Sequence, residues 1–277
     1  MLDMIAFLGA RGGTVAPLNV AGLADSHCSV IGNNIIVPTQ CNKILMVGAI
    51  SQATAGSLTN IIQLSSPSLR ATSLLDITNH CANGAVVAAA QIFDNDAPVE
   101  IYKESPIELQ PGESLQCLSA VDAAAVAENI IVPIVLTDGV LACPFTGRIE
   151  SVIFDYQAAA VINVFSPSAL VPRQALRAGT YAVVGMKDTG TSHVAARLIF
   201  GNQGARPGVF SCNSAVGAAG VGSFSDAKDQ ANGLFRYGRL GVWGTFSHIN
   251  NPVIEVIASV ADAAIAQHVV LDLIKIA

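Results

Sequence analysis

This sequence has few charged residues. Its 277 residues include 14 Lys and Arg and 20 Asp and Glu, so 12% of the chain is charged, about half the share usual in a soluble domain. So few charges cannot cover the surface of a folded chain, and exposed apolar patches usually mark contacts with partners. The composition therefore favours a subunit of an assembly over a free monomer.

Basic residues are especially scarce near the start of the chain. The first 40 residues contain one basic side chain, Arg11, and the whole chain has a formal net charge of −6. A protein that binds nucleic acid needs clustered Lys and Arg to displace counterions from the phosphates. Direct binding to nucleic acid is therefore not expected.

Uninterrupted apolar runs are also missing, although the mean hydropathy is high at +0.53. The uncharged stretch from Ile44 to Leu69 contains polar residues and Pro67, so it never supplies the roughly 18 to 20 apolar residues of a spanning helix. The segment from Met1 to Leu8 is apolar but short, contains Asp3, and lacks the basic region and cleavage pattern of a signal peptide. We expect no transmembrane helix and a mature chain that starts near Met1.

The cysteines and histidines form no recognisable metal or redox motif. No Cys-x-x-Cys pair occurs, and the cysteines are expected to be small buried hydrophobes in a reducing compartment. No two histidines have a metal-ligand spacing, and the His-x-His pair expected of a two-domain cupin is missing. The residues concerned are Cys28, Cys41, Cys81, Cys117, Cys143 and Cys212, and His27, His80, His193, His248 and His268.

Catalytic signatures are missing as well. Neither a Gly-x-Ser-x-Gly elbow nor a Walker-type phosphate loop occurs, and the glycines around Gly217 to Gly222 lack the strand-to-helix context of a dinucleotide site. The sequence therefore predicts a protein that is not an enzyme and needs no cofactor.

Two local features, the pair Asp94 and Asp96 and the single Trp243, each have a functional and a structural interpretation. Asp94 and Asp96 flank Asn95 and could donate oxygens to Ca²⁺, but such residues more often form a β-turn through side-chain hydrogen bonds. Trp243 could stack on a sugar, yet its alternating surroundings favour core packing or a subunit contact. Asp94 and Asp96 remain a weak calcium candidate, and no metal is expected to be required.

The sequence contains many short runs rich in Val and Ile. Each run is bounded by Gly, Pro, Asn, Asp or Ser. This pattern is typical of antiparallel β-sandwiches, and long helical stripes are absent. The predicted strands are Asn34–Val37, Lys43–Ile50, Leu58–Leu64, Ala85–Phe93, Ser114–Ala120, Asn129–Leu136, Arg148–Phe154, Val161–Phe165, Thr180–Met186, Val194–Phe200, Gly241–Phe246, Val253–Ser259 and Gln267–Lys275.

The second half of the chain repeats the first. Val47-Gly48 corresponds to Val184-Gly185 with a shift of 184 − 47 = 137. A Ser-x-x-Asp-Ala-Ala segment recurs with a shift of 262 − 122 = 140, from Asp122 to Asp262. A common order and near-constant shift indicate a duplication, with the junction in the loop 138–147.

The repeat predicts an all-β protein with two tandem domains. The first covers residues 1–140, including a short N-terminal segment, and the second covers residues 141–277. Asp122 and Asp262 each precede an Ala-rich stretch, where a carboxylate can cap a single helical turn. Short helical turns are therefore expected in the loops.

Two such eight-stranded β-domains in 277 residues, without catalytic groups, resemble the double jelly-roll major capsid proteins of tailless icosahedral viruses. The repeated Val-Gly strand and Ser-x-x-Asp-Ala-Ala segment carry the resemblance, which covers nearly the whole chain. The length leaves little room for the tower loops of larger members, so the compact capsomers of small bacteriophages, often with an internal membrane, are the closer match.

The resemblance implies a structural protein made of two tandem jelly-roll β-sandwiches. It implies homotrimers that form pseudo-hexameric capsomers, because two similar domains in each of three chains make six similar units. Partners would be further copies of the chain, other capsid proteins such as a penton, and the lipid of an internal membrane where one is present. The protein would be assembled in the host cytoplasm and reside in the virion.

Two other classes of protein remain as alternatives. A carbohydrate-binding or fibre module would need exposed aromatic platforms, and the chain has 5% aromatic residues and a single Trp. A divergent β-sandwich enzyme would need two ionisable groups that meet in a pocket.

Overall fold

The computed structural model describes residues 1–10, 16–20, 28–48, 50–51, 59–72, 75–80, 99–102, 104–121, 129–158, 164–188, 193–201, 203–204, 206–210, 238, 240–258 and 266–277. Within these ranges the chain forms antiparallel β-sheets and one six-residue helix. The predicted all-β class is therefore confirmed.

The elements follow the Val- and Ile-rich runs. They are β1 (Leu2–Ala10), β2 (Ala16–Pro17), β3 (Asn19–Val20), β4 (Val30–Ile31), β5 (Asn34–Ile36), β6 (Lys43–Gly48), β7 (Ile50–Ser51), β8 (Thr59–Ser65), α1 (Pro67–Thr72), β9 (Leu75–His80), β10 (Val99–Ile101), β11 (Ile107–Glu108), β12 (Ser114–Val121), β13 (Asn129–Thr137), β14 (Ile149–Tyr156), β15 (Ser166–Ala169), β16 (Val171–Pro172), β17 (Thr180–Asp188), β18 (His193–Ile199), β19 (Gly208–Phe210), β20 (Gly244–Ser247), β21 (Val253–Ala258) and β22 (Gln267–Lys275).

Four sheets form, two in each half of the chain. In the first half, sheet A has the order β10-β6-β13-β1-β3, with β11 and β7 attached, and sheet B has the order β4-β5-β12-β8-β9, with β2 attached. In the second half, sheet C has the order β16-β14-β22-β17-β20, and sheet D has the order β15-β21-β18-β19. No described strand of one half is hydrogen-bonded into a sheet of the other half.

The main strands of the two halves pair in the same order. Leaving out the short accessory strands, each half has eight: β1, β5, β6, β8, β9, β10, β12 and β13, then β14, β15, β17, β18, β19, β20, β21 and β22. In each half the first pairs with the eighth, the second with the seventh, the third with the sixth and the fourth with the fifth. The third strand also pairs with the eighth across a register shift in both halves.

The predicted repeat positions fall on corresponding strands. Val47-Gly48 lies on β6 and Val184-Gly185 on β17, the third main strand of each half. The register shift leaves Leu45 unpaired on β6 and Val184 unpaired on β17, so the irregularity is not at the same position in the two copies. Asp122 and Asp262 lie outside the described residues.

Most predicted strands coincide with observed ones. Gln267–Lys275 matches β22 residue for residue, whereas the predicted strand Ala85–Phe93 lies outside the described residues. The sequence prediction did not include β1, which pairs with all nine residues of β13. The segment described as a short N-terminal extension is thus a central strand of sheet A.

Two clusters of buried side chains hold the sheets together. One lies between sheets A and B and includes Ile5 and Phe7 of β1. The other fills the space between sheets C and D and continues to the outward side of sheet A, where it takes in Leu2, Met4 and Leu8. Successive residues of a strand point to opposite faces, so β1 is buried on both sides and joins the two halves.

Candidate functional site: the contact between the two halves

The outward face of sheet A packs against the outward face of sheet D. Arg197 on β18 is hydrogen-bonded to Met4 on β1. Gly208, which pairs with Arg197 across the sheet, lies so close that a Cβ added there would overlap the Met4 sulfur. The backbone N–H of Met4 donates to the carbonyl of Arg206 at 2.9 Å. The contact thus joins side chains and backbone of both halves.

Arg197 is the largest fully buried side chain of the described residues, with 0% exposure. Its Nε donates to Glu255 Oε2 at 2.6 Å, and its Nη1 donates to the Met4 carbonyl oxygen at 3.1 Å. Its guanidinium carbon lies 3.9 Å from the centre of the Phe165 ring, within cation–π range. Arg197 on β18 thereby contacts the neighbouring strand β21 of sheet D and the first strand of sheet A.

Burial and charge act in opposite directions on Arg197. Loss of water lowers the pKa of the guanidinium from its ordinary value, while the Glu255 carboxylate and the more distant Asp3 raise it. A guanidinium remains charged in proteins because its ordinary pKa exceeds 12. The site is therefore a buried ion pair, and its removal from water has to be offset by good geometry and further hydrogen bonds.

A second buried carboxylate, Asp3, also lies at the contact between the two halves. The Cys28 thiol donates to Asp3 Oδ2 at 3.2 Å, and the backbone N–H of Arg206 donates to Asp3 Oδ1 at 3.2 Å. Because Arg206 belongs to the second half, Asp3 links the two halves as Arg197 does. The sequence offered one sign of this role, an acidic residue inside an otherwise apolar run.

The buried Tyr156 and Asp188 form a further polar pair inside the second half. The Tyr156 hydroxyl donates to Asp188 Oδ1 at 2.5 Å. Burial, and then the Asp188 charge, raise the pKa of the tyrosine above its ordinary value. A hydroxyl held protonated in this way serves as a structural hydrogen-bond donor.

The structure describes one of the three sequence-predicted site residues, Trp243. Trp243 is buried in the second core, as the core-packing alternative predicted, and so cannot serve as a sugar platform. Asp94 and Asp96 lie outside the described residues. In the part of the chain that the structure describes, no group of three or more His, Cys, Asp or Glu could hold a metal ion.

Three of the four described cysteines agree with the expected buried, structural role. Cys28, Cys41 and Cys117 are buried and Cys143 is partly exposed, and all four are free thiols. Burial raises the pKa of Cys41 to about 12 and also raises that of Cys117, so neither is a reactive thiolate near neutral pH.

Among the helices in the described ranges, none is long and apolar enough to cross a membrane.

Several large apolar side chains remain on the surface. They include Ile31, Val140, Ile153, Val164, Val171 and Ile249. A shallow cleft beside the last of these is lined by Phe200, Gln203, Thr245 and Asn250, but Gln203 already hydrogen-bonds Thr245 across it. The open apolar surface is therefore spread over sheet faces and turns.

Comparison with known proteins gives no relative: no protein-family model, curated protein or solved structure matches this chain.

Proposed function

We propose that each half of the chain is a jelly roll and that the protein is the major capsid protein of a tailless icosahedral virus. The observation that carries the proposal is the strand pairing that the two halves share, first with eighth through fourth with fifth. Jelly rolls are eight-stranded double sheets with Greek-key connections, and they are common in viral capsid proteins. A long antiparallel ribbon folded over on itself produces this order.

The position of the sheets supports the division into two domains near residue 140. Sheets A and B end at Thr137 of β13, and sheets C and D begin at Ile149 of β14. The similar pairing order on either side of this connection supports a tandem duplication, since unrelated domains would rarely share all four strand pairs. We propose residues 1–140 and 141–277 as the two domains.

Low charge and exposed apolar side chains support self-association. The 34 charged residues, 14 basic and 20 acidic, leave much of the 11591 Å² surface without charge. Side chains such as Ile31 and Val171 project from it. Obligate interfaces are commonly larger than about 2,000 Å² and apolar. We propose a homotrimer whose six jelly rolls form a pseudo-hexameric capsomer and associate laterally into a shell.

Jelly rolls also occur in lectins and enzymes, so the fold alone does not select a capsid role. Against the carbohydrate-binding alternative stands the burial of Trp243, the residue that would have supplied the sugar platform. The capsid proposal instead accounts for the low share of charged residues and for the presence of two similar domains.

Sedimentation of the purified chain tests the proposal. We expect a species of three times the 28.5 kDa chain mass, or a heavier assembly, with a hexagonal outline in negative-stain microscopy. A monomer that persists to high concentration would exclude a capsid role. A trimer without hexagonal outline or lateral association would favour the fibre alternative.

No metal is expected to support this function. Prolonged chelation should leave the thermal midpoint unchanged, because a protein that binds no metal gains no stability from it. A fall of many degrees would instead favour a calcium site at Asp94 and Asp96.

A further inference from the structure

The first strands of the two halves differ in what covers their outward side. On β1 the residues that point away from their own core, Leu2, Met4 and Leu8, are all buried by the second half. On β14 the outward residues alternate with Phe154 and Tyr156 of the core. One of them, Ile153, is 37% exposed. The outward face of sheet C is thus less buried at its first main strand than the outward face of sheet A.

The open part of sheet C lies on its β14 and β16 side. Val171 pairs with Asp155 and therefore shares a side with Ile153, and it is 61% exposed. Arg173 Nε contacts Asp155 Oδ1 at 2.8 Å and forms an exposed ion pair beside them. Towards β17, Asp272 and Ile274 on the same face are buried. Val270, which pairs with Ile153, and Lys187 of β17, which pairs with Val270, are partly exposed. The result is an apolar patch with a charged rim.

Sheet B has an outward face that is open in the same way. Leu118 and Gln116 of β12 point away from the core and are half-buried. Gln116 pairs with Asn34, which pairs with Ile31 at the sheet edge. Ile31 therefore lies on the outward side, and it is 64% exposed. This face, like that of sheet C, has apolar side chains that remain partly exposed.

The contact inside the chain shows how such faces fit together. It joins two different surfaces, sheet A of the first half and sheet D of the second. Sheet C corresponds in strand order to sheet A, and sheet B corresponds to sheet D. Within the described residues, each chain thus has one face of each kind that the contact between its halves does not occupy. A contact between different faces generates a ring when the rotation closes and a filament when it does not.

We propose that the open outward face of sheet C binds the outward face of sheet B of a second copy of this chain. The contact between halves within one chain is then repeated between chains. This inference rests on the proposed function and names the surfaces by which the trimer forms. Ile153 and Val171 meet the neighbour's face around Leu118 and Ile31.

Two single substitutions test the assignment, one on each face. Ile153→Asp and Ile31→Asp each place a charge in the contact, and an unpaired charge buried in an interface is strongly unfavourable. Each should raise the dissociation constant at least about tenfold in sedimentation. Both positions are exposed in the single chain, so circular dichroism and the thermal midpoint at low concentration should stay unchanged. Val171→Asp gives a second variant on the sheet C face.

The matched control is Ile249→Asp. Ile249 is 82% exposed and lies in the turn between β20 and β21. β20 is the edge strand of sheet C opposite β16. The substitution should leave association unchanged. Loss of the trimer in this control, or an unchanged trimer in both face variants, would overturn the assignment.

Mixing the two face variants gives the sharpest test. Ile153→Asp keeps an intact sheet B face and Ile31→Asp keeps an intact sheet C face, so a 1:1 mixture should form a dimer and nothing heavier. A mixture that stays monomeric would overturn a contact between these different faces. If the unmodified chain is itself monomeric, the proposed function fails. If it is a trimer and the mixture does not dimerise, only the face assignment fails.

Discussion

The two halves of this chain place the same strand in opposite surroundings. β1 and β14 are each the first main strand and each pairs with the last. Yet Leu8 on β1 is 8% exposed, whereas Ile153 on β14 is 37% exposed. The inward residues of both strands pack in the core of their own half. The outward residues determine what each half contacts, so a duplicated domain can keep its sheets while its two copies acquire different neighbours.

The largest effect should come from removing the cation that joins the halves. We expect Arg197→Met to lower the free energy of unfolding by about 3–5 kcal/mol, because it leaves Glu255 charged and buried without its partner. Urea unfolding followed by circular dichroism measures the change.

The exposed pair of Arg173 and Asp155 provides the matched control. Arg173→Met should cost no more than about 1 kcal/mol, since solvent weakens a surface ion pair. Similar losses in both variants would show that the buried pair of Arg197 and Glu255 stabilises the chain no more than an exposed pair does.

The next effect tests the comparison of β1 with β14 directly. Leu8→Ala should destabilise the chain by about 2–4 kcal/mol, because the cavity it leaves lies between the halves. Ile153→Ala should cost less than about 1 kcal/mol when measured below the association concentration. Equal costs would mean that the outward sides of the two strands are equally buried.

The sequence predicted the strands that have clear ends and missed the strand that joins the halves. The run Gln267–Lys275 begins and ends at a polar residue and is located residue for residue. β1 is a nearly continuous apolar run at the start of the chain, which lacks the alternation of a half-buried strand because both of its faces are buried. The run therefore invites comparison with a signal peptide, which it does not match, and no strand is predicted there.

The buried ion pair at the contact could not be predicted from the sequence. Arg197 and Glu255 lie 58 residues apart, and each is a single charge inside an apolar run. Their meeting depends on the pairing of β18 with β21. Asp3 gave a weak signal as an acid in an apolar segment, but its partner Arg206 lies 203 residues away. Contacts between domains need the topology before the residues can be matched.

A smaller effect is expected where the halves approach most closely. Gly208→Ala adds a Cβ that would overlap the Met4 sulfur and the Ala196 carbonyl oxygen. We expect a loss of about 1–3 kcal/mol, typical of overpacking in a well-packed core. Thermal unfolding measures it. Met4→Ala in the same chain should recover only part of the loss, because the backbone oxygen of Ala196 cannot move away as a side chain can. Full recovery would show that the overlap with Met4 alone is responsible.

The smallest predicted effect is the loss of stability that the Cys41 thiol causes at alkaline pH. Burial, and then the nearby Asp3, raise the pKa of the Cys41 thiol from 9.0 to about 12. Between these values the unfolded chain loses a proton that the folded chain keeps. The stability that the neutral thiol contributes is therefore complete below pH 9 and is lost as the pH rises towards 12.

Cys41→Ala should make the decline in unfolding free energy between pH 9 and 12 shallower than in the unmodified chain. Some decline should remain, because burial also raises the pKa values of Cys117 and Tyr156 and their loss of a proton has the same sign. The slope is the quantity to compare, since removal of the thiol also changes packing at every pH. Cys143→Ala, at a partly exposed thiol, controls for the loss of a thiol as such. If the slopes of Cys41→Ala and the unmodified chain coincide, Cys41 is not held neutral by its burial beside the first strand.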